Sequence, residues 1–442
     1  MTIPHSHEAL ELFVPGRLCL FGEHSDWAGA MRKYNAAIVP GRTIVVGTEQ
    51  GLYARVAPLA QPVLRLHSSK PDGTSCEQEF PLDADLLAQE AQAGEFWSYA
   101  AGTAYRLLVD FGVGGLSIDN YRTTLPLKKG LSSSAALCVL VARAFNRVYG
   151  LRLTTRGEMQ YAYEGERMTP SQCGKMDQAC AFGSTPVLMT YDGDVLSVTG
   201  AAVAAPLHLV LVDLAASKDT VVILEGLQSA FPHPCTPEQQ ACVELLGRIN
   251  ADITTRALGL MAAGNVEQLG ALMSEAQQLF TARAAPLCPS QLTSPVLHAV
   301  LAHPPIQHLI YGGKGVGSQG DGTAQLLCRG AAQQAEVCHI IEADFPGMAC
   351  MPFTVPATTG AAPAAADAAS AAGCLVAPLA DEALPAANGN TSAANGAAEQ
   401  PAAGLDEQLQ QSLAAVAAKQ KELQAAQQRL AELQAAAAAR GQ

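Results

Sequence analysis

The segment Gly130-Leu131-Ser132-Ser133-Ser134-Ala135-Ala136 constrains this chain most, because a glycine and three serines run straight into a long apolar stretch. From Ser134 to Val148 the residues Leu137, Leu140, Val141, Phe145 and Val148 recur at helical spacing, which predicts a buried helix. The N-terminus of a helix carries unpaired backbone N–H groups and the positive end of the helix dipole, so it binds anions. Gly130 lets the backbone approach such an anion closely. The serine hydroxyls can donate to phosphate oxygens or ligate a divalent cation, and Lys128 and Lys129 add positive charge beside the loop. One serine would suffice to cap a helix. Three in this frame predict a phosphate-binding loop, and it is not a Walker A loop, since no G-x-x-x-x-G-K-[ST] occurs.

Composition narrows what such a loop serves. A chain of 442 residues with 49% hydrophobic side chains can build two domains with a sizeable core and still leave non-globular sequence. A net charge of −13 argues against nucleic acid or an anionic membrane as the main partner, because both need a basic face. The twelve cysteines include no C-x-x-C pair, which predicts reduced thiols rather than a zinc site or a disulfide framework. The first residues lack an apolar signal core, and no apolar run reaches the ~18 residues of a membrane helix. A soluble, cytoplasmic protein is expected.

Along the chain, residues 10–205 alternate strand-like and helix-like patterns, and residues 206–356 continue with helices, strands and a glycine-dense loop. Leu18–Phe21 and Thr43–Val46 read as short buried strands, each ended by glycine, and Leu207–Val212 as another strand. Residues 357–404 are dominated by small and polar residues and predict a low-complexity linker. Residues 405–442 are Ala/Gln-rich and helix-favouring. Leu409, Leu413, Val416, Leu423 and Leu430 keep a 3–4 spacing that Gln420 and Gln427 interrupt, so a coiled coil that self-associates and a solvated single helix are equally good readings.

Three further motifs carry polar chemistry. Pro15-Gly16-Arg17-Leu18-Cys19-Leu20-Phe21-Gly22-Glu23-His24-Ser25-Asp26 is a short strand followed by a turn whose carboxylates and imidazole can bond polyol hydroxyls. Gly165-Glu166-Arg167-Met168 and Cys173-Gly174-Lys175-Met176-Asp177-Gln178 supply two more carboxylates after the serine loop. Gly312 to Gly322 is glycine-dense, and Gly315–Gly320 fits G-x-G-x-x-G. A dinucleotide fingerprint requires a helix next, whereas the strand-like Ala324–Cys328 follows. Lys218-Asp219-Thr220 also follows a strand, where a plain surface loop is at least as good a reading as a site.

In this order the motifs resemble those of the GHMP kinases over residues 10–356. Gly-Leu-Ser-Ser-Ser-Ala-Ala is similar to their nucleotide-phosphate loop. Glu-His-Ser-Asp and Cys-Gly-Lys-Met-Asp-Gln resemble galactokinases, while Leu-Phe-Gly-Glu-His and Gly-Glu-Arg-Met resemble mevalonate kinases. The resemblance implies an α+β, two-domain GHMP kinase fold. Its N-terminal part would be a ribosomal-protein-S5-like α/β domain with a left-handed β-α-β unit, and its C-terminal part a ferredoxin-like α+β domain, with a disordered or helical tail.

It also implies roles for named residues. Asp177 and Arg17 would be catalytic. Lys128, Gly130, Leu131, Ser132, Ser133, Ser134 and Ala135 would bind ATP, and Ser134 with Glu166 would hold Mg²⁺. Glu23, His24 and Asp26, supported by Gly315 and Gly317, would bind the acceptor. The expected activity is transfer of the γ-phosphoryl group of ATP to a hydroxyl of a sugar. A mevalonate-type kinase and a non-catalytic ligand sensor on the same fold are the alternatives.

Overall fold

The computed structural model describes residues 9–69, 73–125, 130–171 and 173–358. Lys128 and, apart from residues 357 and 358, the segments 357–404 and 405–442 lie outside the described residues. The N-terminal strands are β1 (Leu10–Phe21), β2 (Gly41–Leu59), β3 (Val63–Ser69), β4 (Ser75–Pro81), β5 (Gly115–Thr123), β6 (Val187–Asp192) and β7 (Val195–Gly200). They form a seven-stranded sheet in the order β4-β3-β5-β2-β6-β7, with β1 paired to β2. The long strand β2 organises it. Antiparallel β1 pairs with it from Leu10↔Val56 to Phe21↔Ile44. On other stretches of β2, β5 pairs with Leu52–Leu59 and β6 with Gly41–Val45.

The two short glycine-ended strands expected from sequence are therefore parts of longer ones. β2 runs 19 residues, straight through Gly47 and Gly51. Those glycines mark close approaches rather than ends. A Cβ at Gly47 would lie 2.2 Å from the Gly183 carbonyl oxygen, and one at Gly51 would lie 2.4 Å from that of Val14.

Helices α1 (Ser25–Ala30), α2 (Ala84–Ala93), α3 (Ser98–Phe111), α4 (Ser133–Tyr149) and α5 (Thr155–Glu166) accompany this sheet. The expected helix is α4. It is apolar on nearly every face, as a central helix must be, and packs against β1, β2, α3 and α5. Gly150, in the left-handed conformation, ends it.

In the second half, β8 (Leu207–Asp213), β9 (Ile310–Gly315), β10 (Thr323–Cys328) and β11 (Ala349–Val355) form an antiparallel sheet ordered β11-β8-β10-β9. Helices α6 (Thr220–Gln228), α7 (Pro237–Glu244), α8 (Asn250–Ala263) and α9 (Val266–Arg283) lie between β8 and β9 in sequence, with a π-helical turn, Leu245–Ile249, joining α7 to α8. The glycine-dense segment connects two antiparallel neighbours, β9 and β10. No helix follows it, which excludes the dinucleotide fingerprint.

The two sheets share core. Phe21, Ile44 and Phe145 belong to the same buried cluster as Leu209, Leu211, Leu327 and Phe353. Among the described residues no helix is long and apolar enough to cross a membrane.

Candidate active site

A cavity of about 800 Å³ opens where the end of β1, the start of α4, the segment 173–177 and the glycine-rich loop come together. At the start of α4, Gly130 and Ser132 both adopt positive φ, 75° and 57°. That bend turns Ser132, Ser133 and Ser134 to the cavity, and among the described residues no side chain caps the helix. Its first N–H groups are thus left to an external acceptor. Leu131 and Ala135 are buried in the core and shape the turn instead of lining the cavity.

Arg17 links this loop to Asp177. Its Nε donates to Asp177 Oδ1 at 3.1 Å and an Nη donates to the same oxygen. The other Nη donates to the Gly130 carbonyl at 3.0 Å, and the Arg17 backbone N–H donates to the Leu131 carbonyl at 3.1 Å. Burial works against the Arg17 cation, but the Asp177 carboxylate outweighs it and the pKa is raised. Asp177 itself lines the cavity and is a quarter exposed.

Glu166, at the last turn of α5, accepts from Ser134 Oγ at 2.8 Å and from Gln178 Nε2 at 2.7 Å. Burial, helped by the negative charge of Asp177, pushes it up to about 7. Among the described residues no group of three His, Cys, Asp or Glu side chains could cage a metal. The Ser134–Glu166 pair is an oxygen-only donor set, the kind a hard cation such as Mg²⁺ accepts while keeping positions for phosphate and water.

Asp26 sits in the first turn of α1 and accepts from the Met176 N–H at 3.4 Å. Burial and the neighbouring Asp177 raise it to about 6. Gly174 makes this placement possible, since a Cβ there would lie 1.8 Å from Asp26 Oδ2. His24, at φ 66°, stacks on Phe280 and accepts from Trp27 Nε1 at 3.1 Å through Nδ1. Burial lowers its pKa to about 4, an effect the Ser318 backbone opposes.

The remaining expected residues divide. Gly317 lines the cavity at φ 65°, but Gly315 is turned toward Gln319. Glu23 does not line the cavity; it forms a buried ion pair with Lys314. Sequence reasoning gave Lys314 no role, although a charged residue inside a run of glycines is itself a signal. It also left Lys218, Thr220 and Ser318 out of the site, and all three line the cavity. Only the position of Lys218 and Thr220 just past a strand hinted at this.

Residues 98–184, which contain α3, α4, Glu166 and Asp177, match the GHMP kinases N terminal domain. A galactokinase of Streptococcus suis (strain 05ZYH33) is 24% identical over 280 residues, which cover 62% of this chain and 65% of the relative, so the match spans just under two thirds of that protein. The Lactococcus lactis galactokinase complexed with galactose has the same fold, with a TM-score of 0.59 at 17% identity over 79% of this chain and 94% of the other. So does the L. major mevalonate kinase in complex with R-mevalonate, with a TM-score of 0.59 at 18% identity over 81% of this chain and 100% of the other. The domain match, the curated relative and the shared fold agree: residues 98–184 match the GHMP kinases N terminal domain, and the chain has the fold of galactokinase and mevalonate kinase.

Proposed function

We propose that this chain is a kinase that uses Mg-ATP to phosphorylate a hydroxyl of a sugar-like molecule, as a galactokinase does. One observation carries the proposal: Arg17 bonds both to Asp177 and to Gly130 of the serine loop, in the cavity that Asp26 and His24 also line. A donor phosphate at the loop and an acceptor hydroxyl at Asp177 would then be neighbours.

The open N-terminus of α4 and the hydroxyls of Ser132–Ser134 would hold the polyphosphate. Ser134 and Glu166 would hold Mg²⁺, which supplies neutralising charge on the phosphates when bound. Asp177 takes the hydrogen bond of the attacking hydroxyl and aims it, and Arg17 fixes Asp177 and stabilises negative charge on the transferring group. A bond forms from the acceptor oxygen to the γ-phosphorus as the bond to the leaving ADP oxygen breaks, and the hydroxyl proton passes to the Asp177 carboxylate. Most of the rate enhancement would come from positioning and charge. Asp26 suits a polyol acceptor, since its carboxylate can accept two hydroxyl hydrogen bonds.

The test is ADP release with Mg-ATP and a panel of monosaccharides, uronic acids and mevalonate. Sugar-dependent turnover that falls by roughly 10²–10⁴ in Asp177→Asn is expected. ATP binding without ADP release for any acceptor would instead support a ligand sensor on this fold.

A further inference from the structure

Lys218 follows β8 and reaches into the cavity as a half-buried ammonium. Among the described residues its one hydrogen bond there is to the Gln319 carbonyl, at 3.1 Å, although an ammonium carries three donors. The carboxylates close to it in sequence or on the same loop are engaged elsewhere. Asp219 caps α6 through the N–H groups of Val221 and Val222, at 2.9 and 3.2 Å. Asp321 accepts from the Leu297 N–H at 2.8 Å. Asp177, which lines the same cavity, gives its Oδ1 to Arg17. Burial and the nearby Arg17 cation both disfavour the charge on Lys218 and lower its pKa to about 8. The fold nonetheless makes room for it, since a Cβ at Gly322 would lie 2.7 Å from Lys218 Nζ.

The groups around this ammonium are donors too. The Trp27 indole can only donate, so His24 Nδ1 is the acceptor of that bond and the neutral ring carries its proton on Nε2. Among the described residues that buried Nε2 makes no well-formed hydrogen bond, its neighbouring acceptor being the Ser318 backbone. Thr220 and Ser318 add two hydroxyls, 3.1 Å apart. A cation with one protein acceptor, among further donors, needs a negatively charged group to complete it.

We propose that the acceptor is a polyol bearing an anionic group, a sugar acid or a sugar phosphate, and that Lys218 binds that group. The inference rests on the kinase reading for the identity of the reacting hydroxyl, but not for the binding itself. Asp26 bonds the hydroxyls of the acceptor, while Lys218 selects for its charge. A neutral hexose lacks the charge, and mevalonate lacks the polyol.

The experiment measures binding by calorimetry and turnover by ADP release, on the full chain. The probes are D-glucuronate, D-galacturonate, D-glucose 6-phosphate, D-glucose, D-galactose and mevalonate. At least one anionic polyol should bind roughly 10- to 100-fold more tightly than its neutral counterpart. Lys218→Met should abolish that preference and leave Mg-ATP affinity unchanged, and Lys218→Arg should restore part of it. Preference for a uronate over the sugar phosphate, or the reverse, identifies the anion.

Equal binding of neutral and anionic sugars, binding of no anionic polyol, or a Lys218→Met variant that loses kcat and Mg-ATP affinity alike for every acceptor would each overturn the inference. Lys218 would in the last case serve the transferring phosphate. Lys218-dependent binding without ADP release would leave this inference standing and remove the kinase reading. Turnover of neutral sugars that ignores Lys218 would do the opposite.

Discussion

The Lys314 ammonium and the Glu23 carboxylate form an ion pair that ties the glycine-rich strand β9 to the turn after β1, with both side chains almost wholly buried. Lys314 also donates to the Gly315 carbonyl at 3.0 Å. Removing one partner of such a pair strands the other charge, which costs about 3–5 kcal/mol. Glu23→Gln and Lys314→Met should each destabilise the protein by about that much, and the double variant by less than the sum of the two. Urea denaturation of all three checks this. Additive losses would mean that the two residues act separately.

Gly174 and Asp26 give a sharper test of the acceptor site. Gly174→Ala puts a methyl group 1.8 Å from Asp26 Oδ2, so the carboxylate must move. A displacement of about 1 Å in a positioning group costs on the order of 10²-fold in rate. The expected result is a fall of about that size in kcat/KM for the acceptor, with Mg-ATP affinity retained, measured by steady-state ADP release. An unchanged kcat/KM would remove Asp26 from the acceptor site.

The helix α4 and strand β8 were legible in the sequence because each is a strongly apolar run whose pattern lies within the segment itself. The full lengths of β1 and β2 were not. Pro15, Gly47 and Gly51 interrupt their patterns, and what keeps the strands continuous is pairing across the sheet, such as Leu18↔Val46 and Val14↔Leu52. In the site, Arg17, Ser132–Ser134, Glu166 and Asp177 stand inside contiguous motifs, and the resemblance of those motifs to the GHMP kinases brought them to notice. Lys218 and Lys314 could not be found that way. Each has its role only because the second half of the chain folds back on the first, so that Lys314 meets Glu23 and Lys218 lines the same cavity as Arg17.

Asp26 should also set a pH dependence. Burial and Asp177 raise it from its ordinary value of 3.8 to about 6 in the folded protein. Between those values the native state keeps a proton that the unfolded chain has released, so stability falls as pH rises through this window. A shift of that size corresponds to about 3 kcal/mol, fully present below the unfolded value and lost above the folded one. Asp26→Asn should therefore gain stability relative to the wild type as pH rises from 4 to 7, read by urea denaturation at each pH. The acceptor KM of the wild type should fall over the same range, as the carboxylate that accepts hydroxyl hydrogen bonds forms. A difference between the two proteins that does not change with pH would contradict the shift.

The last strand, β11, ends at Val355, but the ordered contacts go further. The Thr358 N–H donates to the Val203 carbonyl at 2.8 Å, and Thr358 Oγ1 accepts from the Val203 N–H at 2.9 Å. Two hydrogen bonds of ordinary worth amount to about 1–3 kcal/mol. A chain cut after Pro356 should therefore be less stable than one cut after Gly360 by about that margin. Both should turn over the acceptor at the full-length rate, because no residue assigned to the site lies beyond Ser318. Thermal denaturation separates the two truncates and ADP release compares them with the full chain. Loss of turnover in a folded chain ending at Gly360 would mean that residues after 360 take part in the reaction.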